Sequence, residues 1–134
     1  MADYTISTTV ARPYEETVAA VRAELAEAGF GVLTEIDLRA TLKAKLDVDV
    51  APQVILGACR PQLAHQALAA DPSIAALLPC NVVVRSVDDT TTVVEAFDPA
   101  AMMSLAGSAG DPLRTVATDA RQRLTAALAA LKDD

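Results

Sequence analysis

Two cysteines, Cys59 and Cys80, are the residues of this sequence best suited to chemistry. Cys59 ends a predicted strand and directly precedes the helix that Pro61 opens. A thiol there lies near the unpaired N–H groups and the positive end of the helix, which stabilise a thiolate. Arg60 adds a neighbouring positive charge. The pattern predicts a reactive thiol at Cys59, with Cys80 beside it if the strands that carry the two cysteines run antiparallel.

Packing is the other role open to the two cysteines, because free cysteine is among the most buried residue types. Cys80 follows Pro79 at the start of a predicted strand and shares a face with Leu78, Val82 and Val84. Reactivity requires exposure as well as a lowered pKa. The sequence therefore leaves two interpretations, a functional thiol pair and a pair of small buried hydrophobic residues.

As a metal site the cysteine pair is incomplete. Tetrahedral zinc requires further ligands, and the short C-x-x-C spacing is absent. His65 is the only histidine, and we expect it to face solvent between two glutamines. Met102 and Met103 could offer soft sulfur to copper(I) together with the thiols, although methionine is more often flexible packing material. No cofactor follows from the sequence.

Glu35 and Asp37 form a candidate carboxylate pair, since residues two apart on a strand project to the same side. Such a pair could hold a hard cation or serve as acid and base, but strand-end solvation and a helix cap at Asp37 explain it equally well. The sequence shows no nucleophile elbow near its histidine and no glycine-rich phosphate loop. This small inventory of catalytic groups favours a protein that is not an enzyme.

Composition and charge restrict the class of protein further. The chain has 134 residues, of which 52% are hydrophobic and 22% charged, so we expect one domain over residues 1–134. A net charge of −7 and few aromatic residues argue against nucleic acid and against an anionic membrane surface as partners. We see neither a signal peptide nor an apolar run of about 18 residues, and therefore predict a cytoplasmic protein with free thiols.

The periodicity of apolar residues predicts an α+β fold. We predict strands over residues 4–10, 32–36, 53–59, 77–87 and 91–97, and helices over 13–28, 37–46, 61–70 and from 111 onwards. Residues 38–50 also alternate as a strand would, and we favour the helix because Leu, Ala, Lys and Arg are good helix formers. Residues 98–110 are predicted to form a loop. Helices on one face of a mostly antiparallel sheet would bury all these apolar stripes.

The segments around both cysteines resemble the signatures of the family called domain of unknown function 302, or DUF302. The likeness rests on Leu56-Gly57-Ala58-Cys59, Pro61, Ala64, Ala67-Leu68 and Leu77-Leu78-Pro79-Cys80-Asn81-Val82-Val83, with Glu35-Ile36-Asp37 and Lys43-Ala44-Lys45-Leu46 upstream. Three residues depart from the family pattern, which usually has Asn at Arg60 and often has Gly at Asp47 and Ala76. The resemblance spans roughly residues 4–131. It implies a compact fold of the TATA-binding-protein-like type, in a bacterial or archaeal cytosolic protein that is often a homodimer, and it implies no activity.

Three functions follow as hypotheses. The first is a non-enzymatic module that binds a small ligand or a soft metal ion, or supports assembly, around Cys59 and Cys80. Its candidate supporting residues are Arg60, Asn81, His65, Glu35 and Asp37. The second is a thiol redox or thiol-transfer protein with Cys59 as nucleophile and Cys80 as resolving partner. The third is a structural dimerisation domain with inert thiols and an apolar dimer face on the last helix.

Overall fold

A five-stranded sheet forms the framework of the molecule, which we describe from a computed structural model for residues 3–106 and 111–133. The strands are β1 (Thr5–Val10), β2 (Gly31–Asp37), β3 (Gln53–Cys59), β4 (Cys80–Asp88) and β5 (Thr91–Phe97). They are ordered β1-β5-β4-β3-β2, and each neighbouring pair is antiparallel. The predicted α+β class with an antiparallel sheet is confirmed.

Helices connect and cover these strands. They are α1 (Tyr14–Glu27), α2 (Leu38–Leu46), α3 (Pro61–Ala70), α4 (Pro99–Ala106) and α5 (Asp111–Asp133), together with a 3₁₀ segment (Pro72–Leu77) between α3 and β4. Within the described ranges, none of the helices combines the length and the apolar character needed to cross a lipid bilayer.

Alternation along the central strands decides which sheet face is buried. In β3, the side chains of Val54, Leu56 and Ala58 are at most 4% exposed, and the same period continues in β4 and β5. These residues pack with apolar side chains of α1 and α5 in one hydrophobic cluster. The residues between them point to the other side of the sheet. We call that side the open face.

Helix α5 joins two hydrophobic clusters. Its first half contributes Leu113, Val116 and Ala120 to a cluster with α3, the 3₁₀ segment and α4. Its second half, including Leu124 and Leu128, packs in the cluster on the sheet. The apolar stripe of α5 is thus used inside the fold.

Several predicted elements match the structure closely. The bounds of β3, α3 and β5 agree with the prediction, and residues 38–46 form the favoured helix rather than a strand. Asp37 caps that helix, because its Oδ1 accepts a hydrogen bond of 2.9 Å from the backbone N–H of Ala40. Asp47 ends it with φ of 55°.

Two predicted segments are wrong. The strand expected to begin at residue 77 begins at Cys80, because Asp71 and Pro72 start a 3₁₀ turn in which Asp71 Oδ1 accepts from Ser73 N–H at 3.0 Å. The loop expected over 98–110 contains α4 instead. Asp98 Oδ1 accepts from Ala100 N–H at 2.9 Å, and Pro99 suits a first helical turn. Residues 107–110 of that predicted loop lie outside the described residues.

Candidate functional site

The antiparallel pairing of β3 and β4 brings the two cysteines to the same end of the sheet. Ala58 lies directly opposite Cys80 in the ladder, and Cys59 is the next residue along β3. Cys59 is half-buried and Cys80 is 7% exposed. Within the described part of the chain both are free thiols.

Both cysteines line one small cavity, together with Met102 of α4. Its volume is about 30 Å³, which is room for a single water-sized guest. Apart from Arg60, the other residues that line it are hydrophobic and come from β3, α3, α4, α5 and the adjoining loops. We call this space the sulfur cavity, because the sulfur-containing residues Cys59, Cys80 and Met102 all line it.

The helices around the sulfur cavity hold its sulfur-bearing residues in place. Leu63 and Ala67 of α3 are buried over it, and Val116 and Ala120 of α5 close its far side. Met102 is 4% exposed in the same cluster. Because these residues belong to packed helices rather than to loops, the wall of the cavity is preorganised.

Burial keeps both thiols protonated at neutral pH. Burial, with a smaller contribution from the neighbouring Cys59, raises the pKa of Cys80 from 9.0 to about 11. Burial also raises the pKa of Cys59. The expected lowering of the Cys59 pKa is therefore wrong. The Arg60 guanidinium donates instead to Gln62 Oε1 at 2.8 Å, and desolvation by burial is the cause of the raised Cys59 pKa.

Two further candidates lie away from the sulfur cavity. His65 is exposed on α3, as expected. Asn81 is exposed on β4, opposite Gly57 and on the side of the strand away from Cys80. Neither residue lines the cavity, so of the predicted supporting residues only Arg60 does.

Glu35 and Asp37 share one side of β2, but they border a shallow groove with Tyr14 rather than the sulfur cavity. Glu35 Oε1 accepts from Arg22 Nη2 at 2.6 Å, and Asp37 caps α2. Among residues 3–106 and 111–133, no group of three His, Cys, Asp or Glu side chains is placed to hold a metal ion. Both carboxylates therefore have structural partners.

Met102 is the cavity residue that the sequence analysis placed in a loop. The sequence does contain a signal for helix α4, because an Asp-Pro pair at 98–99 followed by Ala, Met and Leu is typical of a helix start. A helix there would have separated an inward Met102 from its neighbour Met103. Met103 is only half-buried and borders a surface groove beside α5.

Comparisons with known proteins support the fold and leave the chemistry of the site open. The family model described as "Domain of unknown function DUF302" matches residues 6–131. The chain is also similar to the crystal structure of an uncharacterized conserved protein DUF302 from Bacillus stearothermophilus, with 29% sequence identity and a TM-score of 0.85. That similarity covers 98% of this chain and 100% of the other. No curated protein matches.

Proposed function

Because the chain belongs to the DUF302 family, whose description states no activity, we propose a function from the geometry of the sulfur cavity. The function is a binding module that holds one soft metal ion, of the copper(I) type, between Cys59, Cys80 and Met102. The observation that carries the proposal is that three sulfur-containing residues, Cys59, Cys80 and Met102, line one hydrophobic space of about 30 Å³.

Ligand softness and cavity size both favour a soft ion. Thiolate and thioether sulfurs select copper(I), whereas zinc structural sites use four N or S ligands. Organic ligands usually occupy pockets of about 300–1,000 Å³, far larger than this one. On binding, each thiol loses its proton to solvent and forms a sulfur–metal bond. The copper stays in the same oxidation state, so no oxidant or reductant is consumed.

The surroundings support binding rather than turnover. The remaining residues of the cavity wall are hydrophobic except Arg60, so no carboxylate or imidazole lies there to move a proton. A reducing compartment such as the cytoplasm would keep both thiols available for the metal. We therefore extend the proposal to a cytoplasmic location.

Copper(I) titration tests the proposal. Metal-free protein is titrated under anaerobic conditions against bicinchoninate, a coloured competing ligand. We expect one equivalent of copper(I) per chain and no stoichiometric uptake by the variant that combines Cys59→Ser with Cys80→Ser. Met102→Leu should weaken binding by about tenfold or more, because a ligand is lost while the hydrophobic volume is kept.

Met103→Leu is the matched control, since it makes the same change one residue away from the cavity wall and should leave copper affinity unchanged. Circular dichroism establishes that each variant is folded. Copper retained by the double serine variant would place the site elsewhere. Equal losses for Met102→Leu and Met103→Leu would also overturn the assigned ligand set.

A thiol redox or thiol-transfer role, with Cys59 as nucleophile and Cys80 as resolving partner, is the less supported proposal. It requires a thiolate near neutral pH, and a lowered pKa is what makes a cysteine reactive. Burial raises the pKa of both thiols instead. Stable metal binding is compatible with raised thiol pKa values, because the metal displaces the protons of the thiols.

We also propose that the homodimer implied by the family forms through the open face. Ile55 lies opposite Val83 there, and Val93 lies opposite Arg85. All four residues are only partly buried. Arg85 Nη1 and Glu95 Oε1 form an ion pair of 2.6 Å on this face, so it carries no net charge from that pair. Two chains of net charge −7 could therefore meet there without placing like charges together.

Light scattering after size-exclusion chromatography tests the dimer. We expect the mass of two chains, and we expect Val83→Glu to give the mass of one, because a carboxylate buried in the contact would be unpaired. Leu68→Glu is the matched control, because Leu68 lies on α3 rather than on the open face and is 37% exposed. A monomer at high concentration, or a Val83→Glu dimer, would contradict this proposal.

A further inference from the structure

Two arginine side chains from distant parts of the chain, Arg60 and Arg123, converge beyond the end of α1. They meet at Gly29, whose φ of 90° is a conformation that favours glycine. A Cβ atom placed at Gly29 would lie 3.5 Å from Arg60 Nη1 and 3.6 Å from Arg123 Nη1. The missing side chain thus leaves space against both guanidinium groups.

The two guanidinium groups differ in how they are satisfied. Arg123 Nε pairs with Asp119 Oδ1 at 3.1 Å, and its Nη1 donates to the carbonyl oxygen of Ala28 at 3.0 Å. Arg60 Nη1 donates to the uncharged Gln62, and its buried Nε has no hydrogen-bond partner. No ion pair among the described residues includes Arg60.

This arrangement is unfavourable unless an anion completes it. A buried N–H group without an acceptor loses its hydration and gains nothing in return. A second positive group beside it adds repulsion. The placement is also unusual for a chain that carries 18 acidic residues against 11 basic ones, because no carboxylate among the described side chains pairs with Arg60.

We propose that Arg60 and Arg123 form a binding site for a small oxyanion, a phosphate or a carboxylate, over Gly29. The planar guanidinium group matches the oxygen geometry of both anions. Arg60 supplies the unpaired charge, and Arg123, fixed by Asp119 and Ala28, supplies a preorganised second donor group. Arg60 also lines the sulfur cavity, but this inference rests on different atoms and requires no metal.

Calorimetric titration of the metal-free protein with inorganic phosphate, and separately with acetate, tests the inference, with sodium chloride at equal ionic strength as the reference. We expect saturable binding of at least one of the two oxyanions. Arg60→Gln should weaken it by about tenfold or more, because hydrogen bonds to a charged group are lost. Arg123→Lys keeps the positive charge but loses the paired N–H donors of the guanidinium group. It should therefore weaken oxyanion binding as well.

Arg114→Gln is the matched control, because it removes an exposed positive charge from α5 at a distance from Gly29. Its oxyanion affinity should equal that of the unchanged protein. In chloride, Arg60→Gln should unfold at the same temperature as the unchanged protein or higher, which separates lost binding from lost structure. Binding of neither phosphate nor acetate, or equal losses for Arg60→Gln and Arg114→Gln, would overturn the inference. A protein that binds copper(I) but no oxyanion overturns this inference alone.

Discussion

Replacing Gly57 with valine is expected to lower the free energy of unfolding by about 3 kcal/mol or more, because the added atoms have no space. Gly57 lies in the middle of β3, between the neighbouring strands β2 and β4. A Cβ atom there would overlap Thr34 Oγ1 and lie 2.8 Å from Pro79 Cγ. Thr34 is held by its pairing with Gly57 in the β2–β3 ladder, and the proline ring has little freedom to move. Urea unfolding followed by circular dichroism gives the change directly.

Gly31→Ala is the control for this prediction. It adds a Cβ atom to the neighbouring strand, where the nearest atom is the Cys59 carbonyl oxygen at 3.8 Å, an ordinary contact. Combining Thr34→Ala with Gly57→Ala should recover part of the stability lost by Gly57→Ala alone, since the overlapping oxygen is removed. An unchanged urea midpoint for Gly57→Val would contradict this prediction. It would show that β2 and the segment before β4 can move aside to accommodate the valine side chain.

Raising the pH through the range from about 9 to about 11 is expected to remove roughly 2–3 kcal/mol of stability from the metal-free protein through Cys80. Below pH 9, both the folded and the unfolded chain hold the Cys80 proton, and the contribution is fully present. Between the two values the unfolded chain loses that proton while the buried thiol keeps it, so unfolding becomes easier. Once the folded-state pKa of about 11 is passed, the loss is complete.

The measurement compares the free energy of unfolding of the unchanged protein with that of Cys80→Ala across this pH range, in the presence of a reductant. Lysines and tyrosines titrate in both proteins, and their effect cancels in the difference. We expect the difference between the two to shrink as the pH rises. Cys59→Ala is the matched control and should keep most of the decline due to Cys80, because burial is the larger cause of the raised Cys80 pKa. Parallel pH curves for the unchanged protein and Cys80→Ala would show that burial does not hold the Cys80 proton.

Elements with strong boundary signals could be predicted from sequence. Pro52 and Pro61 bracket β3, and Asp71-Pro72 ends α3, so the bounds of these elements followed from residue types. The segment before Cys80 was mistaken for strand because its leucines suit a strand and a 3₁₀ turn equally. The sequence does not predict α4, because Asp98-Pro99 suits the opening of a loop as well as the start of a helix.

The candidate site could be predicted only in part. The placement of Cys59 and Cys80 at the same end of the sheet follows from the antiparallel pairing of β3 and β4, which the sequence makes possible without requiring it. The direction of the thiol pKa shifts could not be foreseen, since it depends on how much of each sulfur is buried. The approach of Arg123 to Arg60 left no trace in the sequence either, because no periodicity links a residue before α3 to one late in α5.

Helix α5 makes the sulfur cavity and the sheet parts of one cooperative unit. Val116 and Ala120 of its first half form a wall of the cavity, and Leu124, Leu128 and Leu131 of its second half pack in the cluster on the sheet. A rigid helix transmits a shift at one end to the other, since its backbone hydrogen bonds resist local bending. We therefore expect an occupant that tightens the cavity to strengthen the packing of α5 on β1 as well, so that the backbone amides of the edge strand β1 exchange more slowly with solvent.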